Sequence, residues 1–250
     1  MIGFGFRPFR LSELFGIPIY LDWSTIFLAL MFLQSGSIAF AIGLAGLLLA
    51  SIVLHELGHS LTARCFGCNT RCITLTVIGG CASLERMPRK AWQEFLTAVA
   101  GPLVSVVLGV LLYVASAFLP EGNMLGDVLW CGGHINIVLG CFNLLPGFPM
   151  DGGRIFRSAM WLVLSRAKAT YVAMVVGRVA AVMLVLGPLL GITHIWVIPI
   201  GGNFILRLLI AWMIWQEGYR EYQMALAEDD FRQWTQDDFD ARVSPPPYDR

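Results

Sequence analysis

From Trp23 to Leu54 the chain carries no charged residue, and the next five residues are His55-Glu56-Leu57-Gly58-His59. That run is longer than the about 20 apolar residues a helix needs to cross the hydrocarbon core of a bilayer. It must therefore be divided, or buried in a very large core. Composition decides between these. Charged residues make up 14% of the 250, apolar ones 57%, and mean hydropathy is +0.70, whereas soluble domains carry about 25% charge. Too few charges remain to coat a soluble globule of this size. Disorder, collagen and coiled coil are excluded on the same figures. A polytopic membrane protein remains.

Six spans are predicted. Gln34-Ser35-Gly36-Ser37 divides the long run into spans at 20–37 and 39–64. The others are Phe95–Leu119, Val128–Leu145, Tyr171–Leu190 and Ile195–Trp215. Arg7 and Arg10 precede the first. Arg64, Arg71, Arg86, Arg89 and Lys90 lie between the second and third, and Arg154, Arg157, Arg166 and Lys168 between the fourth and fifth. The alternate connections hold no Lys or Arg. The basic connections thus fall on one side, which places both termini in the cytoplasm and requires an even number of spans. Met1–Leu21 has no compact apolar core before Asp22, so no cleavable leader is expected.

Formal net charge is zero, but this is a cancellation. Residues 1–216 hold 13 Lys+Arg and 8 Asp+Glu, and residues 217–250 hold 4 and 9. The chain divides into a slightly basic hydrophobic body and an acidic cytoplasmic tail. The tail is too polar to be buried, and is expected to begin as a helix and end disordered. It serves as a solubilising tail or as a docking segment for a partner. One connection differs from the rest. Cys72–Glu85 alternates β-branched and apolar residues around Gly79-Gly80, which reads as strand, glycine turn or bulge, strand. Gly16-Ile17-Pro18-Ile19-Tyr20 reads as a short extended entry segment.

His55 and His59 are four residues apart, so both imidazoles share one helix face, with Glu56 placed to reach water bound to the same metal. Three ionisable groups inside a membrane helix mark function by default; a polar patch that glues helices is the plain alternative. Catalytic zinc takes three protein ligands and keeps one position for water. Asp151 is the one acid between Asp127 and Glu217, just after the fourth span breaks at Pro146, and is the natural third ligand. A helix N-cap is its other reading. His134 and His194 lie towards the opposite face and read as structural.

With these residues in view the chain resembles the site-2 protease family of intramembrane zinc metalloproteases, in a minimal form without PDZ or CBS domains. The resemblance runs from about Phe15 to Trp215. It rests on Phe15-Gly16-Ile17-Pro18-Ile19, on Leu54–His59, and on Ile78–Pro88 in the strand region. Ala98-Val99-Ala100-Gly101-Pro102 and the block from Phe142 to Arg154 complete it. It implies one Zn2+ held by His55, His59 and Asp151, Glu56 as catalytic carboxylate, and Asn143 near the zinc to bind the polarised carbonyl. It also implies hydrolysis within a transmembrane segment of another protein, such as a membrane-tethered regulator or anti-sigma-type factor, with the active site near the cytoplasmic face. No nucleic-acid role is expected.

Three further expectations come from the residues. The strands carrying Gly79 and Gly80 would hold an extended substrate by edge pairing. Arg178 and Arg207, counted from the cytoplasmic ends of the last two spans, fall at the same depth as the zinc and would contact substrate at a gate; snorkelling to the interface is the alternative. Cys65, Cys68, Cys72 and Cys81 have unusual spacing for a finger and read as small apolar side chains, with a second metal site as the alternative. Competing functions are a metal or proton transporter and a catalytically inactive substrate-binding relative. Intact His55, Glu56, His59 and Asp151 weigh against the latter.

Overall fold

The computed structural model describes residues 8–25, 37–76, 79–84, 88, 90–192, 194–195, 198–199 and 204–243. The helices are α1 (Ile38–Cys65), α2 (Ala91–Ser116), α3 (Met124–Asn143), α4 (Asp151–Trp161), α5 (Arg166–Leu186) and α6 (Phe204–Val243). A 3-10 turn, Gly187–Leu190, extends α5. Among the described residues, α1, α2, α3 and Arg166–Leu190 are long and apolar enough to cross a membrane. They begin within a few residues of the expected second to fifth spans. Leu103, Val107, Val110, Leu111 and Val114 of α2 are exposed, an apolar stripe suited to lipid rather than water.

The first and sixth expected spans fare differently. Leu21 ends a strand and Trp23–Thr25 is a 3-10 turn, so residues 20–25 are not helical; 26–36 lie outside the described residues. At the sixth, Ile195 pairs with Ile198 in a small hairpin, and helix begins only at Phe204. That helix does not stop at Trp215. It continues to Val243, because the acidic segment that follows holds no proline before Pro245 and is rich in helix-forming Ala, Glu and Gln.

The sheet is larger than expected. Four strands, β1 (Phe9–Leu14), β2 (Ile17–Leu21), β3 (Thr70–Thr76) and β4 (Gly79–Leu84), lie in that order. β1–β2 and β3–β4 are antiparallel and β2–β3 is parallel. The entry segment is therefore a full strand, and its partner β1 was not foreseen. Phe15 and Gly16 make the β1–β2 turn, both at positive φ (53° and 78°), the conformation that two-residue hairpins require. Arg64 at the end of α1 donates through Nη1 to the Phe15 carbonyl at 2.9 Å, fixing the hairpin to the helix. Gly79 and Gly80 are not the turn: they pair with Thr76 and Leu75 inside the ladder. Alternate residues Ile17, Ile19, Ile73 and Leu75 face α1 and pack on Ile52, Val53 and Leu57, the period-two pattern of a half-buried sheet. The sheet thus braces the turns of α1 that carry His55 and His59.

α5 and α6 run antiparallel, in a register set by Arg166–Glu228, Tyr171–Tyr222 and Arg178–Trp215. Glu221 and Glu228, in the first part of the acidic segment, accordingly pack on the body. Glu221, with its side chain 15% exposed, accepts from Arg157 Nη1 at 2.6 Å. Burial is possible for this carboxylate because it is paired. Burial alone would push the Glu221 carboxyl up; the charges of Arg157 and then Arg154, with the hydrogen bond from Arg157, hold it below its ordinary value. A carboxyl lowered on folding stabilises above its ordinary value of about 4.3 and loses that contribution as pH falls through the lowered folded value. Thermal unfolding in detergent from about pH 7 to about pH 3 is expected to show a smaller acid-induced fall of the midpoint for Glu221→Gln than for wild type. Equal falls would remove Glu221 as a source of acid sensitivity.

Candidate metal centre

α1 presents His55 and His59 one turn apart, with ring centroids 4.9 Å apart and planes at 80°. His55 is 4% exposed. The helix can bring them this deep because α2 crosses it on small residues. A Cβ on Gly58 would lie 2.9 Å from the Ala100 carbonyl oxygen, and one on Gly101 would lie 2.1 Å from His59 Nε2 and 2.8 Å from His55 Nε2. Both rings therefore lie directly against the backbone of α2. That helix also orients them. His55 Nδ1 shares a hydrogen bond with Ser105 Oγ at 2.9 Å, and His59 Nδ1 donates to the Thr97 carbonyl at 2.7 Å. Thr97, Gly101 and Ser105 recur every four residues, on one face of α2.

Asp151 reaches the same point from the break after α3. Leu144–Met150 folds back on the start of α4. Cβ atoms on Gly152 and Gly153 would lie 2.3 Å from the Leu144 and Leu145 carbonyl oxygens and 2.6 Å from the Gly147 carbonyl carbon. Gly147 in turn packs on Gly177 of α5. Asp151 opens α4, yet its N-cap residue is Met150 and makes no side-chain cap. The carboxylate turns to the histidines instead: Oδ2 lies 3.2 Å from both Nε2 atoms, which lie 3.2 Å from each other.

This triangle suits a metal ion. Ligand bonds of about 2.0 Å in tetrahedral array separate ligand atoms by about 3.3 Å. The donor chemistry agrees. A carbonyl only accepts, so the proton on neutral His59 is at Nδ1, and its Nε2 presents a lone pair to a carboxylate oxygen and another ring nitrogen. A cation between them converts that repulsion into binding. Among the described residues, His55, His59 and Asp151 are the one group of three or more such side chains able to hold an ion.

Glu56, half-buried, lies against β4: a Cβ on Gly80 would come within 2.5 Å of its Cγ and 2.8 Å of Oε1. The strand carrying Gly79 and Gly80 thus passes directly beside the Glu56 carboxylate, and Gly80 is glycine for that reason. Asn143, the last residue of α3, donates through Nδ2 to the Leu139 carbonyl at 3.0 Å. It stands one turn beyond Gly140, which packs on Pro102 and Ser105 of α2.

The two arginines are not level. Arg178 follows Gly177, the contact of Gly147, and its guanidinium stacks on Trp215 at 4.4 Å. Arg207 donates to the Val185 carbonyl at 3.4 Å, seven residues or about 10 Å farther along α5. Trp215 is not the end of the last helix: α6 overshoots it, and Tyr171 of α5 faces Tyr222. Cys65, Cys68 and Cys72 are free thiols, and the sulfurs of Cys65 and Cys68 donate to carbonyls nearby in the chain. The side chain of Cys81 lies outside the described residues. His134 stacks on Trp130 and bonds the Tyr113 hydroxyl, the structural role expected. Thr97 and Ser105 were not foreseen. Their i, i+4 spacing about Gly101, in a helix next to the motif, was the available signal.

The family model of peptidase family M50 matches residues 43–127 and 121–187. Zinc metalloprotease MJ0392 of Methanocaldococcus jannaschii is 37% identical over 194 residues, which is 76% of this chain and 56% of that protein. The protein sll0528 of Synechocystis is 35% identical over 245 residues, 92% of this chain and 63% of that one. The chain therefore spans under two thirds of these relatives. The solved structure of the site-2 protease from M. jannaschii superposes with a TM-score of 0.61 at 32% identity, covering 86% of this chain and 95% of that one.

In an ordinary helix interior Gly→Ala is stabilising by about 1 kcal/mol. At Gly101 the new methyl would occupy the space of both imidazoles. Gly101→Ala is expected to retain helical circular dichroism while lowering zinc affinity by roughly tenfold or more, as loss of ligand orientation does elsewhere. Wild-type affinity in this variant would show that the rings are not held as described.

Proposed function

The chain belongs to peptidase family M50, and from that premise we propose that it is an intramembrane zinc endopeptidase cutting a transmembrane segment of another membrane protein. The observation that carries this reading is the His55–His59–Asp151 triangle with 3.2 Å edges, set beside Glu56 inside a bundle of apolar helices. His55, His59 and Asp151 would hold one zinc ion, which when bound supplies Lewis acidity to a peptide carbonyl and to water. The remaining chemistry belongs to the protein. Glu56 takes a proton from the attacking water and returns it to the leaving amine. The second amide hydrogen of Asn143, left over from its bond to Leu139, donates to the carbonyl oxygen as that oxygen gains charge.

A helical substrate hides its carbonyls in its own hydrogen bonds and must be unwound first. Among the described residues β4 pairs only with β3, and its other edge supports addition of an extended substrate strand. Such a strand would run past Glu56 where Gly80 leaves room. Arg178, close to the loop that carries Asp151, is the better of the two arginines for a contact with substrate, and Arg207 drops out of that role.

In this reading the full bundle has six spans, the basic connections and both termini are cytoplasmic, and the site opens towards the cytoplasm. Residues 1–216 form the protease core and 217–250 an acidic cytoplasmic extension. The substrate class is a membrane-tethered regulator or anti-sigma-type protein whose cleavage releases a soluble product. The test uses purified full-length protein and a tagged single-span substrate with helix-breaking residues near one end. Wild type is expected to cleave, a zinc chelator to stop it, and Glu56→Gln to lower the rate by at least roughly 10²-fold while retaining zinc. Cleavage that persists in Glu56→Gln would sink the mechanism, and bound zinc with no cleavage would favour a binding or transport role.

A further inference from the structure

Among the described residues Arg157 is the largest of the fully buried side chains, and the chemistry above does not use it. It projects from α4, the helix that Asp151 opens. Its Nε donates to Glu94 Oε1 of α2 at 2.8 Å, and its Nη1 donates to Glu221 Oε2 of α6 at 2.6 Å. Its guanidinium carbon lies 4.9 Å from the centre of the Phe148 ring, in the loop that delivers Asp151. Each partner leads to the metal centre. Glu94 is three residues before Thr97, on the same face of α2, and the Thr97 carbonyl fixes the His59 ring. Phe148 is 1% exposed, and its backbone nitrogen is one of the atoms that Gly153 meets. Glu221 also lies in the field of Arg154, on the same helix as Asp151, and it belongs to the helix that continues past the last apolar run.

Stability alone is a weak reason for such a group. A buried ion triad is commonly no more stabilising than apolar residues of the same shape, whereas removing one member exposes the others to a large penalty. What a bifurcated guanidinium does well is fix direction, because its donors form a rigid planar fork. Here the fork joins the helix of Asp151 to the helix that orients His59.

We propose that Arg157 is a positioning residue for Asp151, and that Glu221 makes the C-terminal helix a working component of the metal centre. Glu94 is the fixed anchor on α2. Glu221 completes the clamp from α6 and sets the rotation of α4 about its axis. A second contact separates this role from mere attachment of α6. Glu228, seven residues farther along the same helix, pairs with Arg166 at the start of α5, and that guanidinium also stacks on Trp161 at the end of α4, so only the Glu228 end of this contact can be removed without touching α4. The inference rests on the metal-centre reading, so the experiment measures metal directly.

Full-length protein in detergent would be titrated with zinc against a chromophoric chelator, and its Co2+-substituted form examined by visible absorption. Arg157→Gln and Glu221→Gln are expected to weaken zinc binding by roughly 10- to 100-fold and to shift the Co2+ ligand-field bands. Glu221→Asp should recover part of the loss, and Glu228→Gln, which leaves Arg166 on Trp161, should leave affinity and spectrum unchanged. Where Arg157→Gln fails to fold, Glu221→Gln decides, since it keeps the guanidinium and removes one charge. Zinc binding in wild type that is unaltered in Glu221→Gln overturns this inference alone. Equal losses in Glu221→Gln and Glu228→Gln also overturn it, in favour of simple docking of the helix. A wild-type protein that holds no metal overturns the metal-centre reading and this inference with it.

Discussion

Two imidazole nitrogens and a carboxylate oxygen lie each 3.2 Å from the other two, an arrangement that is attractive only when a proton or a metal ion is shared among them. Everything around it resists the natural relaxation, which is for the three groups to separate and find water. The rings are held from behind by Ser105 and the Thr97 carbonyl. The carboxylate is held by a loop whose backbone is pressed against the first turn of α4. Burial adds to the strain, since each group has surrendered its hydration. The bundle is therefore built to hold together, largely buried, a set of three atoms that a metal ion satisfies at once.

Glycine makes that geometry reachable. At Gly58, Gly101, Gly80, Gly147, Gly152 and Gly153 the neighbour of the missing side chain is either backbone or a group of the site itself. In a membrane the approach of helices gains little from the hydrophobic effect, so close contact of backbones supplies dispersion and brings polar groups into range. The same economy places β4. A strand with side chains at position 80 would stand off from α1 by the width of a methyl group, and its ladder would no longer pass within reach of Glu56.

Much of this was legible in the residues, for reasons that can be named. His55 and His59 were visible because a four-residue spacing fixes a helix face, and Asp151 because it is the lone acid in a long interval next to a proline–glycine break. Four of the spans were visible because each is a continuous apolar run. The misses share another cause: they depend on which element lies beside which. β1, with Arg10 and Glu13 paired on its surface, carries no strong apolar alternation, and its strand character is conferred by β2. Gly79-Gly80 has the composition of a turn, but Glu56 explains Gly80, and no local rule connects position 80 with position 56. Nor could the relative level of Arg178 and Arg207 be counted from the end of an apolar run, because the α5–α6 register carries α6 beyond it.

That last point changes what the acidic segment is. A boundary at 216/217 follows from charge, and the charge asymmetry is real, yet α6 passes through it without a break. Glu221, Glu228 and Asp229 turn towards Arg157, Arg166 and the backbone of Ala167. The excess basic charge of the body and the excess acid of the final segment therefore meet at one interface. The neutral sum over the whole chain reflects in part a contact between its two regimes. Because one of those contacts ends on the helix of Asp151, the segment least like a membrane protein is joined through a single guanidinium to the group deepest in the chemistry.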